Sequence, residues 1–425
     1  MRRRAVLVPV AAVIAAVLAA TTLSGCVASR GADGLVGTVT STRSMGEVST
    51  GSVSAPPFSS MTMSAAASPP DTASPSEAAS AGSSASAATG AARASATTAT
   101  TTTTASQDPK AEPPGQFTLA LAGDVNFSGR TATLLAADPA TALREAATQL
   151  SPADLTMVNL ESAITTRGVP APKEFHFRAP ATALDALASG GVDLVTMANN
   201  HAVDYGDQGL ADTLAAVKDS PIPVLGIGAN AAQAYAPWTG TVNGIQVAIL
   251  AASQVHDWTT ATHTATATKP GIASAFSPQL ITAVKAAKAR ADVVIVYLHW
   301  GIEYQTCPSG EQRSLADALA KAGATAVVGT HVHVLQGAGW RSDGSYVAYG
   351  LGNYFWWKSF GNQQDDNGVL TLTFDAKSVI SARFLPTHLD DRGVPQVATG
   401  AQRDRIAAEW ARDRQCAGLA ATPPS

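Results

Sequence analysis

Six short apolar runs in this chain each end directly in a polar cluster. Ala120-Leu121-Ala122 leads into Gly123-Asp124-Val125-Asn126, and Met157-Val158 into Asn159-Leu160-Glu161. Val195 to Ala198 leads into Asn199-Asn200-His201, and Val296-Tyr297-Leu298 into His299-Trp300-Gly301. Val327-Val328 leads into Gly329-Thr330-His331-Val332-His333, and Tyr349-Gly350-Leu351 into Gly352-Asn353. The side chains placed in this way are Asp, Glu, Asn and His, a set that suits a hard-to-intermediate divalent cation rather than a soft thiolate site. Glycines beside the clusters permit sharp turns and close backbone approach. His331 and His333 are two apart on an extended segment, so both can face one side. Taken singly, Gly123-Asp124 is a turn, and Asn199 or Asn200 a helix N-cap. The weight lies in the ordered set.

The elements that must gather these residues are legible in outline. Strand-like runs occur at Phe117–Ala122, Leu155–Val158, Leu194–Met197, Val247–Leu250, Val293–Leu298, Ala326–Val328 and Val347–Tyr349. Helical patterns lie between many of them, at Ala132–Leu150, Ala181–Ala188, Leu210–Lys218, Ser277–Ala289 and Gln312–Ala322, the last followed by Gly323 as a C-cap. This alternation predicts an α/β protein. Ligand sites of open α/β sheets form outside the carboxyl ends of the strands, which is where all six clusters fall. Val369–Phe374 and Ile380–Leu385 flank Asp375-Ala376-Lys377-Ser378, so an antiparallel hairpin is expected near the end.

The ordered set Gly123-Asp124, Asn159-Leu160-Glu161, Asn199-Asn200-His201 through Asp204-Tyr205-Gly206, His299-Trp300-Gly301 through Glu303-Tyr304, Gly329 through Gln336, and Tyr349 through Asn353 resembles the bacterial capsule-synthesis CapA family, associated with poly-γ-glutamate capsule biosynthesis and similar to the calcineurin-like metallophosphoesterases. The resemblance spans about Phe117 to Leu385. It implies a four-layer α/β/β/α sandwich with metal ligands on strand-end loops. It places Asp124, Glu161, Asn200, His299, His331 and His333 as ligands of one or two divalent ions, Mn or Zn, and His201 as the histidine that contacts substrate or protonates a leaving group. Asn126 stands where the wider superfamily often has a ligand histidine, and Glu161 is one methylene longer than the usual bridging aspartate. Two metals in such a site lower the pKa of a bridging water and clamp the attacking and leaving oxygens.

Around this set, Glu303 follows His299 by four residues and reads equally as a partner of the ligand shell or as a loop-stabilising ion. Lys173, His176 and Arg178, with Phe175 and Phe177 between them, read as a loop that draws an anionic substrate or as ordinary surface charge. Arg178 and Asn353 are the substrate-binding candidates. Tyr354, Phe355, Trp356 and Trp357 either line a polymer groove or belong to the core.

The rest of the chain concerns address and attachment. The protein has 425 residues, of which 14% are charged and 6% aromatic, with a formal net charge of −4. That charge fraction is low for a globular protein, and the mildly acidic balance gives no electrostatic case for nucleic-acid binding. Met1-Arg2-Arg3-Arg4 and the uncharged Ala5–Ala20 have the layout of a secretory leader. Leu23-Ser24-Gly25-Cys26 resembles a lipobox, so residues 1–25 are expected to be a lipoprotein signal peptide and Cys26 the acylated (palmitate-bearing) residue. Residues 26–115 are Ser-, Thr-, Ala- and Pro-rich, with Phe58 the single aromatic residue, and read as a disordered tether spanning about 50 Å. A CapA-like domain is expected over 116–400, and a C-terminal helix and tail over 401–425, with Ile406 and Trp410 on one helical face. With Cys26 used for lipid, Cys307 and Cys416 are the remaining thiols, and an exported domain meets oxidising conditions, so a Cys307–Cys416 disulfide is expected.

The function these features imply is that of a lipid-anchored protein on the extracytoplasmic face of the cell membrane, taking part in the synthesis, export or anchoring of poly-γ-glutamate or a related anionic envelope polymer, alongside capsule-synthesis membrane proteins. A metal-dependent phosphoesterase or amide hydrolase acting on such a polymer is the alternative, and a non-catalytic partner with a structural metal the second.

Overall fold

A computed structural model describes residues 115–150 and 152–425. The leader, Cys26 and nearly all of the tether lie outside the described residues. Two sheets form the centre. The first runs in the spatial order Pro395–Val397, Val379–Leu389, Asp366–Phe374, Phe117–Val125, Leu155–Leu160, Leu194–Thr196, Val224–Leu225. Its Phe117, Leu155, Leu194 and Val224 strands are parallel, while the strands from Asp366 onward are antiparallel. The second runs Leu335–Trp340, Tyr346–Leu351, Ala326–His331, Val293–Trp300, Ile245–Gln254, Trp238–Val242, with a parallel centre and antiparallel edges.

Side-chain alternation along the central strands sorts the apolar residues into layers. Phe117, Leu119 and Leu121 of the first sheet pack with Ile249, Ile295 and Tyr297 of the second in one core between the sheets. Ala120, Ala122 and Val125 point the other way, onto Leu135, Leu184, Leu187 and Leu210 of the helices Gly129–Ala137, Thr182–Ser189 and Gly206–Lys218. Val294, Val296 and Leu298 of the second sheet meet Leu280, Val284 and Leu319 of the helices Pro278–Lys288 and Gly310–Ala322. The result is the expected α/β/β/α sandwich. Strands buried on both faces carry continuous apolar runs, which is why the sequence shows runs here rather than alternation.

Local signals hold where they are strong. The Gly310–Ala322 helix opens with a Ser309/Gln312 capping box and closes on Gly323 at φ 106°. The terminal hairpin forms between Asp366–Phe374 and Val379–Leu389, its turn held by the Asp375 side chain accepting from the amides of Lys377 and Ser378. The single helix expected over Ala132–Leu150 is instead two, Gly129–Ala137 and Arg144–Leu150. The break falls at Asp138-Pro139, where proline lacks an amide hydrogen and disfavours helical geometry in the residue before it.

The helix Gly400–Ala417 lies across the second sheet's edge. Ile406 and Trp410 are buried, and Trp410 stacks on Phe384 with ring centroids 4.1 Å apart. It crosses so close to the Leu335–Trp340 strand that a Cβ on Gly337 would fall 2.2 Å from the Asp413 carbonyl oxygen. A disulfide joins Cys416 near its end to Cys307. Among the described residues no helix is long and apolar enough to cross a membrane.

Candidate metal centre

The parallel strands of both sheets deliver their carboxyl ends to one place. Asp124, Glu161 and the Asn199-Asn200-His201 turn come from the first sheet, and His299 and His331 from the second. His333 lies in the turn to the next strand. Asn353 sits where the chain changes sheets: Tyr346–Leu351 belongs to the second, and Asn353–Phe355 pairs with the Phe117 strand of the first. The switch turns on Gly352 at φ 71° and on Gly123, where a Cβ would stand 1.8 Å from the Gly352 carbonyl oxygen. That contact carries a hydrogen bond from the Asp124 amide to Gly352, 2.9 Å, and so fixes Asp124. Beneath, the Tyr297 hydroxyl donates to the Ala122 carbonyl across the two sheets, 2.5 Å.

The groups are buried and close. Asp124 and Glu161 are fully buried, and His299 nearly so. One Asp124 oxygen accepts from Asn159 Nδ2 at 2.8 Å, the other from the His331 amide at 3.2 Å. The Nδ1 atoms of His299 and His333 each lie 3.8 Å from Asp124. Glu161 Oε1 is 3.5 Å from His299 Nε2 and 3.6 Å from His201 Nε2. His299 Nε2 is 2.8 Å from Asn200 Oδ1. His333 Nδ1 is 2.8 Å from Asn353 Oδ1, and its ring packs on Trp356 at 5.0 Å. His201 turns its Nδ1 to Asp204 Oδ2, 2.6 Å, and rests on Phe177 at 4.4 Å.

Electrostatics follow from burial. Desolvation, helped by Glu161, raises Asp124 to about 6, and desolvation also raises Glu161. Desolvation lowers His299 to about 4 and takes His331 well below its ordinary value. His333 goes up: burial alone would lower it, but Glu161, Asp124 and Glu303 outweigh that.

The donor set fits a divalent cation. Both carboxylate oxygens of Glu161, and Nδ1 of His331, are buried without a hydrogen-bond partner, an arrangement that is costly unless something positive or electrophilic is supplied. Three overlapping groups have ligand atoms within 4.8 Å of one another: Asp124, Glu161 and His333; Glu161, His299 and His331; and Glu303, His331 and His333. Glu161 is common to the first two. Asn200 lies beside these groups, its Oδ1 hydrogen-bonded to His299 Nε2.

Several residues take supporting roles that their place in the sequence does not reveal. Asn159 and Asn199 form a chain, Asn199 Nδ2 to Asn159 Oδ1 at 3.0 Å and Asn159 Nδ2 to Asp124, that sets the ligand loops against each other. Asn126, where a ligand histidine was to be looked for, instead holds the loop behind Glu161, donating to the Glu161 carbonyl at 2.9 Å. Lys173 is the cation that reaches the centre, with Nζ 2.6 Å from Asp204 and 2.5 Å from the Asn200 carbonyl. Arg178 lies over the Tyr205 ring at 4.6 Å. The aromatic run divides: Tyr354 and Phe355 are core, Trp356 walls the centre, and Trp357 stacks with Lys358. The i, i+3 spacing of His201 and Asp204 within one motif is the sequence signal for that pair.

The fold is a sandwich of two sheets between helices, with a histidine–carboxylate cluster at the carboxyl ends of its parallel strands. The chain belongs to the bacterial capsule synthesis protein PGA_cap family, whose family model matches residues 118–356. It is 30% identical over 247 residues to the capsule biosynthesis protein CapA of Bacillus anthracis, covering 57% of this chain and 59% of that protein. It is 32% identical over 221 residues to the PGA biosynthesis protein CapA of Bacillus subtilis (strain 168), covering 52% and 56%. The chain thus spans somewhat over half the length of these relatives. A solved structure described as a novel phosphatase from Mycoplasma pneumoniae is similar at 17% identity and a TM-score of 0.43, covering 65% of this chain and 95% of that one. A likeness at that level bears on neither the reaction nor the metal.

Proposed function

We propose that the protein binds one or two divalent ions, Mn²⁺ or Zn²⁺, through Asp124, Glu161, Asn200, His299, His331 and His333, and that it acts on poly-γ-glutamate or a related anionic envelope polymer during capsule assembly. The observation that carries this reading is Glu161: a fully buried carboxylate with neither oxygen hydrogen-bonded, set among the imidazoles of His201, His299 and His333. Family membership supports the process, and the printed name of the Bacillus subtilis relative, a PGA biosynthesis protein, points to the polymer.

A divalent ion supplies Lewis acidity toward the oxygen of a scissile amide or ester. The chain's own residues do the rest. Asp204 accepts the Nδ1 proton of His201 and fixes the ring so that Nε2 faces the cluster; with both ring nitrogens protonated, the Nε2 proton is the one placed to pass to a leaving group. Lys173 holds Asp204 and the Asn200 carbonyl in register and places a positive charge beside the entrance for an anionic chain. Asn353 fixes His333. In this reading Cys26 carries lipid and holds the domain at the extracytoplasmic face of the cell membrane, beside the membrane proteins of capsule synthesis. Cys26→Ala should release the protein from membranes on fractionation.

The test of the reaction is incubation of Mn²⁺- or Zn²⁺-loaded protein with poly-γ-glutamate, followed by chain length on size exclusion, with phosphoester substrates in parallel. Shortening of the polymer fits amide hydrolysis; phosphoester turnover alone moves the reaction class to phosphoester cleavage. Inertness toward both leaves the metal in a structural role.

A further inference from the structure

The segment between His299 and the Gly310–Ala322 helix is held at several points. The Tyr304 amide donates to the Val332 carbonyl at 2.8 Å, docking the segment on the turn between His331 and His333. Gln336 Nε2 donates to the Gln305 carbonyl at 2.7 Å. Gln312 in turn donates to Gln336 Oε1 at 2.8 Å. Cys307 is bonded to Cys416 of the C-terminal helix, whose carbonyl accepts from Arg313. An exposed loop with so many anchors is built to present something.

The same place collects backbone strain. Among the described residues four non-glycine residues have positive φ, and three of them are Tyr304 (66°), His331 (93°) and His333 (58°). Such conformations persist where the surroundings over-determine them and cluster at functional sites. What the loop presents is Glu303, exposed, with a carboxylate oxygen within 4.8 Å of one nitrogen each of His331 and His333. Those two histidines belong to the two different groups that share Glu161. Glu161 closes the centre from the buried side and Glu303 faces it from solvent.

Resting on the metal reading above, we propose that Glu303 is itself a metal ligand, closing the centre from the solvent side opposite Glu161. A carboxylate in this position suits the hard-to-intermediate cation that the mixed carboxylate and imidazole donors favour. Being exposed, it is also the ligand that an incoming carboxylate or phosphate oxygen of the polymer would displace.

The experiment is Mn²⁺ titration by calorimetry, with electron paramagnetic resonance of the bound ion, on the full chain and on Glu303→Gln, Glu303→Asp and Glu174→Gln. Glu174 is an exposed carboxylate near Tyr304 that belongs to none of the three donor groups, so it reports the effect of charge alone. Glu303→Gln should weaken Mn²⁺ by about ten-fold or more and alter the resonance, with Glu303→Asp between it and wild type. Glu174→Gln should stay within about two-fold, because exposed charges are screened. Wild-type affinity and resonance in Glu303→Gln, or an equal loss in Glu174→Gln, overturns the assignment while leaving the metal centre standing. A wild-type chain that binds neither Mn²⁺ nor, in a parallel titration, Zn²⁺ takes down the centre and this assignment together.

Discussion

His201 Nδ1 lies 2.6 Å from Asp204 Oδ2, three residues further along the same turn, and Asp204 itself is fully buried. The carboxylate therefore fixes both the tautomer and the direction of the ring, and Nε2 is the atom left to face the cluster. Lys173 lies 2.6 Å from the second Asp204 oxygen, so the histidine, carboxylate and lysine form a row leading out from the centre.

This row predicts a separation between chemistry and metal binding. His201→Ala should lower kcat about 10²–10⁴-fold, the range expected for loss of a positioned proton donor, while metal content stays at the wild-type level. Asp204→Asn should lower kcat in the same direction, again with metal retained. Parallel measurement of kcat and metal stoichiometry checks this. Loss of metal in His201→Ala would make His201 a ligand rather than a proton donor.

The disulfide predicts a stability effect. Cys307 and Cys416 are 109 residues apart in sequence, and the bridge pins the last helix to the loop beside the centre. Removing a native disulfide typically costs about 2–5 kcal/mol, so Cys416→Ser should melt roughly 3–8 °C lower in a domain of this size. Scanning fluorimetry with and without reductant reads this, and reductant should lower wild type but not the variant. Thiol titration of denatured, non-reduced protein should find neither cysteine free.

Much of the centre is legible in the sequence because parallel strands bring their carboxyl ends to one edge, so residues directly after apolar runs become neighbours whatever their separation in the chain. Asp124 and His331 meet across 207 positions for this reason. What is not legible depends on pairings across the sheets. Nothing local says that Gly352 is where the chain leaves one sheet for the other, or that Asn126, Asn159 and Asn199 hold ligand loops rather than ligate. Lys173 and Arg178 share one loop and one charge, and only the fold decides that the lysine turns toward Asp204 and the arginine over Tyr205. The break at Asp138-Pro139 is different: proline marked it, and the apolar pattern on either side outweighed the mark.

A third prediction concerns pH and the C-terminal helix. Burial, with Glu409 adding to it and Arg412 opposing, raises Asp413 to about 6. Between its ordinary value near 4 and about 6, the folded chain holds more proton on this group than the unfolded chain. Stability therefore falls as pH rises through that window, and the cost is complete above it. Asp413→Asn removes the ionisable group. Asp413 is buried, so the variant should gain about 1–3 kcal/mol above pH 7 and be level with wild type near pH 4. Urea unfolding at pH 4, 6 and 8 checks the trend; a gain that is largest at pH 4 would reverse the sign and refute it.

The central claim is that the strand-end cluster is a metal centre, and elemental analysis of freshly purified protein tests it most directly. Wild type should carry at least one Mn or Zn per chain, His331→Ala and His333→Ala should lose most of it while keeping the wild-type circular dichroism, and His201→Ala should keep it. A wild-type chain free of divalent metal after supplementation with Mn²⁺, Zn²⁺ and Fe²⁺, or a His331→Ala chain with undiminished stoichiometry, would contradict it.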